Sequence, residues 1–83
     1  MTYEEVFKRL SEILQNDFKV PAAKIAPEAT FRGTLGLDSL DAVDLIYLIG
    51  KSFALKARVE SFADLHSVKA VADYIVRAKS EAA

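Results

Sequence analysis

The chain has 83 residues and a mass of 9.1 kDa, enough for one small core and too short for two. At 52% hydrophobic and 28% charged residues it falls in the globular range, away from compositions that stay disordered. With no cysteine it has no disulfide, zinc knuckle or thiol of its own, and 11 Lys+Arg against 12 Asp+Glu lack the basic footprint of a nucleic-acid binder. The longest uninterrupted apolar run, Leu45 to Ile49, is far short of a membrane span, and the acidic start Met-Thr-Tyr-Glu-Glu is the opposite of a signal peptide. A soluble, cytoplasmic protein without membrane insertion is expected. One histidine in so short a chain leaves little room for a self-contained catalytic pocket, so a binding or carrier module is expected rather than an enzyme.

In chain order, Thr2 with Glu5 three positions later matches a capping box, each side chain satisfying a backbone donor at a helix start. Val6, Leu10, Ile13 and Leu14, then Phe18, recur at three- and four-residue steps, which predicts a first helix to about Asp17. Pro21, Pro27, Gly33 and Gly36 break regular structure from Lys19 to Asp38, while Val20, Ile25, Phe31 and Leu35 are spaced as anchors. A loop this long inside a small domain tends to be functional, and its far end should be held in place.

Asp38 is the expected N-cap of a second helix running to about Phe53, with Asp41 in the first turn facing the positive end of the helix dipole. At 100° per residue, Ala42, Leu45, Ile46, Ile49 and Phe53 share one arc and make a sufficient core stripe. Leu40, Val43 and Tyr47 fall on the roughly opposite face beside Asp44 and Lys51, so either both faces are buried or one meets a partner. Val59 to Leu65 suggests a short helical segment with Phe62 and Leu65 inward. Ser67 then caps a final helix with Val68, Val71, Ala72 and Ile75 on one face and Tyr74 and Val76 beside it, before a fraying tail from Lys79 to Ala83. No alternating strand pattern or repeat appears. The expected fold is all-α: one small four-helix bundle over residues 1–83, with three main helices, a short third helix and a long first loop.

Leu35-Gly36-Leu37-Asp38-Ser39-Leu40-Asp41 places a serine hydroxyl at the loop-to-helix junction among carboxylates, a position suited to modification. Serine is a weak nucleophile without a neighbouring base, and the one histidine, His66, is 27 residues away at another helix start. A nucleophile elbow needs glycines at Leu37 and Asp41, so a hydrolase is not expected. On spacing alone Ser39 is equally part of an ordinary helix start, and Asp38, Asp41 and Asp44 read first as a solvated helix terminus favoured by the dipole. Three carboxylates without a ligand loop do not make a calcium site, and no other metal is expected.

The run LGLDSLDAVDL resembles the phosphopantetheine attachment motif of acyl carrier proteins. The order helix, long loop, Asp-Ser-Leu, helix, short helix, helix agrees over essentially the whole chain. Asp41, Val43, Asp44 and Leu45 after the triplet, Phe53, and Ala72-Asp73-Tyr74-Ile75 also fall where that family has counterparts. Peptidyl carriers share the fold, but their serine more usually follows Gly-Gly-His or Gly-Gly-Asp, so Leu37-Asp38 is closer to the acyl branch.

The resemblance implies that a separate phosphopantetheinyl transferase, with Mg²⁺, moves 4'-phosphopantetheine from coenzyme A onto Ser39. The cysteine-free chain would thereby gain a thiol on which acyl groups travel as thioesters between a ketosynthase and other acyl-processing or acyl-loading enzymes. It also implies that Asp38, Asp41 and Asp44 face basic patches on those partners, with Leu40, Val43 and Tyr47 as the apolar centre of the docking face of a monomeric carrier. For Tyr47 the alternative is ordinary packing.

Departures from the pattern narrow the pathway. Carriers of primary fatty-acid synthesis usually continue the second helix with an acidic run, whereas this chain reads Gly50-Lys51-Ser52-Phe53 and then Lys56 and Arg58. A free-standing carrier of a specialised fatty-acid, polyketide or aryl polyene type pathway is the resulting expectation. Ala57 stands where the family often has a branched aliphatic and Phe62 where it often has alanine, both bordering the expected acyl cavity. Phe62 either narrows that cavity, stacks on an unsaturated or aromatic chain, or replaces volume lost at Ala57. An amino-acyl or peptidyl carrier, and a carrier-like interaction module without a prosthetic group, are the competing expectations.

Overall fold

A computed structural model describes residues 2–56, 62 and 64–82, with the backbone alone at 81 and 82. Helix α1 spans Tyr3–Asp17, α2 Ser39–Ser52 and α3 Val68–Ala82, with a single 3-10 turn at Ala22–Lys24. Among the described residues the fold is all-helical, the one extended pairing being an isolated antiparallel bridge between Thr30 and Ser67. The short helix expected from Val59 to Leu65 lies for the most part outside the described residues; within it, Phe62 is buried and Leu65 half-buried.

Helix α1 begins as its sequence requires, with one change. Thr2 Oγ1 accepts the Glu5 N–H at 3.2 Å, but the Glu5 carboxylate takes the Thr2 hydroxyl at 3.1 Å rather than the Thr2 backbone N–H expected of a full box. A hydroxyl donates and accepts together, so Thr2 serves both contacts. Val6, Leu10 and Leu14 are fully buried beside Ile13, and α1 packs on the face of α3 formed by Val68, Val71, Ala72 and Ile75. Ser67 caps α3 as expected, its Oγ accepting the Ala70 N–H at 3.1 Å.

The long loop is pinned to the start of α3 through its backbone. Phe31 N–H donates to the His66 carbonyl at 3.0 Å, Val68 N–H to Ala29 at 2.9 Å and Lys69 N–H to Pro27 at 2.8 Å. Val20, Phe31 and Leu35 are buried and Ile25 half-buried, as their spacing anticipates, and Ala29 and Leu37 are buried as well.

The end of α2 is where the three helices meet. Leu55 N–H donates back to Gly50 O at 2.9 Å across Ala54, whose φ of 54° is the left-handed conformation of a Schellman stop. Two cations meet the carbonyls that such an end leaves unpaired. Arg9 of α1 donates from Nη1 to Ser52 O at 3.3 Å with its guanidinium over the Phe53 ring, and Lys79 of α3 donates from Nζ to Phe53 O at 3.0 Å. The tail from Lys79, expected to fray, therefore continues as helix to Ala82. Its local composition argues for fraying, and the long-range bond to Phe53 outweighs it.

Two outcomes follow for urea denaturation. Ala54→Gly stabilises by about 1 kcal/mol, because glycine adopts the left-handed turn without the penalty alanine bears. Lys79→Ala destabilises by about 1 kcal/mol and increases amide exchange in the last turn of α3.

Candidate functional site

The site is built around the first turn of α2. Asp38 has an extended backbone, and its Oδ1 accepts the Asp41 N–H at 2.9 Å while Asp41 Oδ2 accepts the Asp38 N–H at 3.3 Å. This reciprocal pair makes Ser39 the first helical residue and leaves its side chain exposed. Upstream, Gly36 turns the chain at φ 69°, a conformation costly for any residue with a Cβ, and Leu37 tucks into the core with its N–H on Phe31 O at 2.8 Å. Ser39 thus projects from a junction secured on both sides.

Below that turn α2 divides into two faces. Leu45, Ile46, Ile49 and Phe53 are buried and Ala42 is half-buried. On the other side Leu40 is 77%, Tyr47 68% and Val43 47% exposed, with Asp44 exposed among them. Of the two alternatives open for the surplus apolar face, burial of both sides is excluded within the chain.

Between the loop, the inner face of α2 and the start of α3 lies a cavity of about 460 Å³. Ser39 and Asp38 stand at its rim, and Leu45, Ile46, Ile49, Phe62 and Leu65 are among its apolar walls. Phe62, expected beside such a cavity, does line it and tilts against Tyr74, the ring centroids 5.0 Å apart at 60°. Ala57, the other expected cavity residue, lies outside the described residues. His66, distant from Ser39 in sequence, lines the same cavity, although no hydrogen bond joins the two; the fold brings the helix starts together as sequence separation does not reveal. Among the described residues no three His, Cys, Asp or Glu side chains are placed to share a metal ion, and no helix is long and apolar enough to cross a membrane.

The site is thus an exposed hydroxyl on a capped helix start, beside an apolar cavity, and comparison with known proteins gives the chain its family. Residues 8–75 match the family described as "Phosphopantetheine attachment site". The acyl carrier protein of Rubrobacter xylanophilus is 33% identical over 76 residues, covering 92% of this chain and 94% of that protein. The chain belongs to the acyl carrier protein family. Acyl carrier protein 2 of Ralstonia nicotianae is similar at 36% over 75 residues, covering 90% of this chain and 89% of that one. The acyl carrier protein of Thermosynechococcus vestitus shares 32% over 75 residues, covering 90% and 93%. As a family member the chain is a carrier of acyl groups and not an enzyme, and its cofactor is a covalently attached 4'-phosphopantetheine.

The capping pair predicts a graded outcome. Asp38→Ala lowers unfolding free energy by about 1 kcal/mol, whereas Asp38→Asn, which keeps an accepting oxygen, retains most of it. Equal losses in chemical denaturation would show that charge, not the cap bond, is what α2 requires.

Proposed function

We propose that Ser39 is the residue that carries 4'-phosphopantetheine, and that the chain shuttles acyl thioesters between the enzymes of a specialised pathway. The observation that carries this reading is the exposed Ser39 side chain at the rim of an apolar cavity, on a helix start fixed by Asp38 and Asp41. The site fits the group: a phosphodiester on Ser39 would stand at a helix N-terminus, where backbone N–H groups point at an anion. The apolar walls around Ile46, Ile49 and Phe62 would shelter an acyl chain from water. When bound, the group supplies the thiol that the chain lacks. The serine needs activation from outside, and a phosphopantetheinyl transferase is the partner that supplies it.

Docking falls to the outer face of α2. Leu40, Val43 and Tyr47 form an exposed apolar strip flanked by Asp44 and, at the helix start, by Asp38 and Asp41. Such a strip suits a ketosynthase and other acyl-processing enzymes that present basic residues around an apolar centre. The carrier acts as one domain over residues 1–83, as a monomer, in the cytoplasm. Its pathway is of the specialised fatty-acid, polyketide or aryl polyene type. Support comes from the far end of α2, where Lys51 is exposed and Arg9 and Lys79 converge, so that negative charge is confined to the first half of the helix. Partners that read acidity along the whole helix would bind such a surface poorly. Amino-acyl or peptidyl loading is the second reading; it uses the same serine and differs in the enzyme that loads it.

Incubation with coenzyme A, Mg²⁺ and a broad-specificity phosphopantetheinyl transferase is expected to add one phosphopantetheine to the wild type and none to Ser39→Ala, read by intact mass. A modified Ser39→Ala protein would overturn the assignment. Charge reversal at Asp44 is expected to weaken ketosynthase binding about tenfold at low salt and much less at high salt, because exposed charge pairs are screened. A loss independent of salt would remove electrostatic docking from the account.

A further inference from the structure

The cavity beside Ser39 is apolar in its depth and polar at its rim, and Arg32 is the one Lys or Arg among the described residues that line it. The turn carrying Arg32 is firmly built. Thr30 N–H donates to Thr34 Oγ1 at 3.1 Å, and Thr34 N–H donates to Thr30 Oγ1 at 3.1 Å. The Thr30 carbonyl accepts from Thr34 and Leu35 N–H at 3.1 and 3.0 Å. Gly33 is part of the fit, since a Cβ there would stand 2.7 Å from Thr30 Oγ1. Phe31 and Leu35, buried on either side, fasten this turn to the core while the Arg32 side chain stays exposed.

Arg32 lies in a stretch without acids. From Ala29 to Leu37 the loop contains no acid, so Arg32 has no carboxylate partner in its own turn. Glu28, four residues before Arg32, is exposed and lies outside the cavity lining, and the acids that follow, Asp38 and Asp41, each spend an oxygen on the other's backbone N–H. A phosphodiester on Ser39 would add a further negative charge beside these aspartates, and a guanidinium across the rim is the group suited to offset it, through two parallel N–H donors.

We propose that Arg32 is a positioning residue that holds the phosphodiester of the prosthetic group at the rim of the cavity. This rests on Ser39 being the attachment residue. Of the anions such a carrier presents, the phosphodiester is the one matched to this place: it is bonded to Ser39 Oγ and stays at the rim, whereas a carboxylate on the cargo rides at the far end of a flexible arm. A cation fixed at the rim limits the directions in which the arm leaves Ser39, favouring entry into the cavity over free rotation in solvent.

The test converts wild type, Arg32→Lys and Arg32→Gln to the phosphopantetheine form, with intact mass confirming each conversion. The ³¹P resonance of the phosphodiester and the side-chain Nε–H signal of Arg32 are then compared at low and high salt. The expected result is a shift of the Arg32 Nε–H signal on conversion of the wild type. A ³¹P resonance displaced in Arg32→Gln, intermediate in Arg32→Lys, and converging with the wild type as salt rises completes it. Conversion should also raise the wild-type melting temperature by about 2 °C more than that of Arg32→Gln. Full mass gain in all three proteins, with an unmoved Arg32 signal and superimposable ³¹P resonances, would overturn the role of Arg32 and leave Ser39 intact. No mass gain on the wild type would overturn both.

Discussion

Everything on the functional side of this molecule depends on two reciprocal hydrogen bonds between Asp38 and Asp41. They decide where α2 starts, and a helix turns about 100° per residue, so the starting residue sets the phase of all that follows. With Ser39 first, Leu45, Ile46, Ile49 and Phe53 meet the core, and Leu40, Val43 and Tyr47 meet solvent. A start displaced by one residue would turn the apolar strip sideways and bring Asp44 towards the core. The same two carboxylates also stand beside the serine, so one local motif sets backbone register and the charge around the hydroxyl.

The far end of α2 is governed differently. Its first turn is closed by side chains of its own, whereas its last turn ends in a backbone Schellman stop whose remaining carbonyls are met by Arg9 from α1 and Lys79 from α3, beside the buried Phe53. Both ends comply with the helix dipole, acids at the start and cations at the finish. The consequence for binding is a polarised surface, acidic around Ser39 and cationic fifteen or so residues on, with the apolar strip between. On the proposed function, such a gradient would orient an approaching enzyme before contact.

Much of this was legible in the sequence, and the exceptions share a cause. The buried faces of α1 and α3 follow from three- and four-residue spacing, and the Asp38 and Ser67 caps from residue type at the head of an apolar run. What escaped depends on contacts between distant segments. Ala29 and Leu37 gave no periodic signal because their burial follows from backbone bonds to Val68 and Phe31. Lys79 read as part of a fraying tail because Phe53, its partner, is 26 positions away. His66 looked remote from Ser39 until the loop was pinned to the start of α3. Arg32 did leave a signal, a lone cation in an acid-free stretch close before Ser39, but its meaning required the Thr30 to Leu35 turn and the cavity it faces.

The central claim is a division of labour on α2: the inner face receives what Ser39 carries and the outer face meets partners. It is tested most directly by comparing aliphatic and aromatic side-chain NMR signals of the phosphopantetheine form before and after loading with a medium-length acyl chain. The account predicts shifts at Ile46, Ile49, Phe62 and Leu65, with Leu40, Val43 and Tyr47 nearly unchanged. Shifts concentrated on Leu40, Val43 and Tyr47, with the inner residues unmoved, would contradict it.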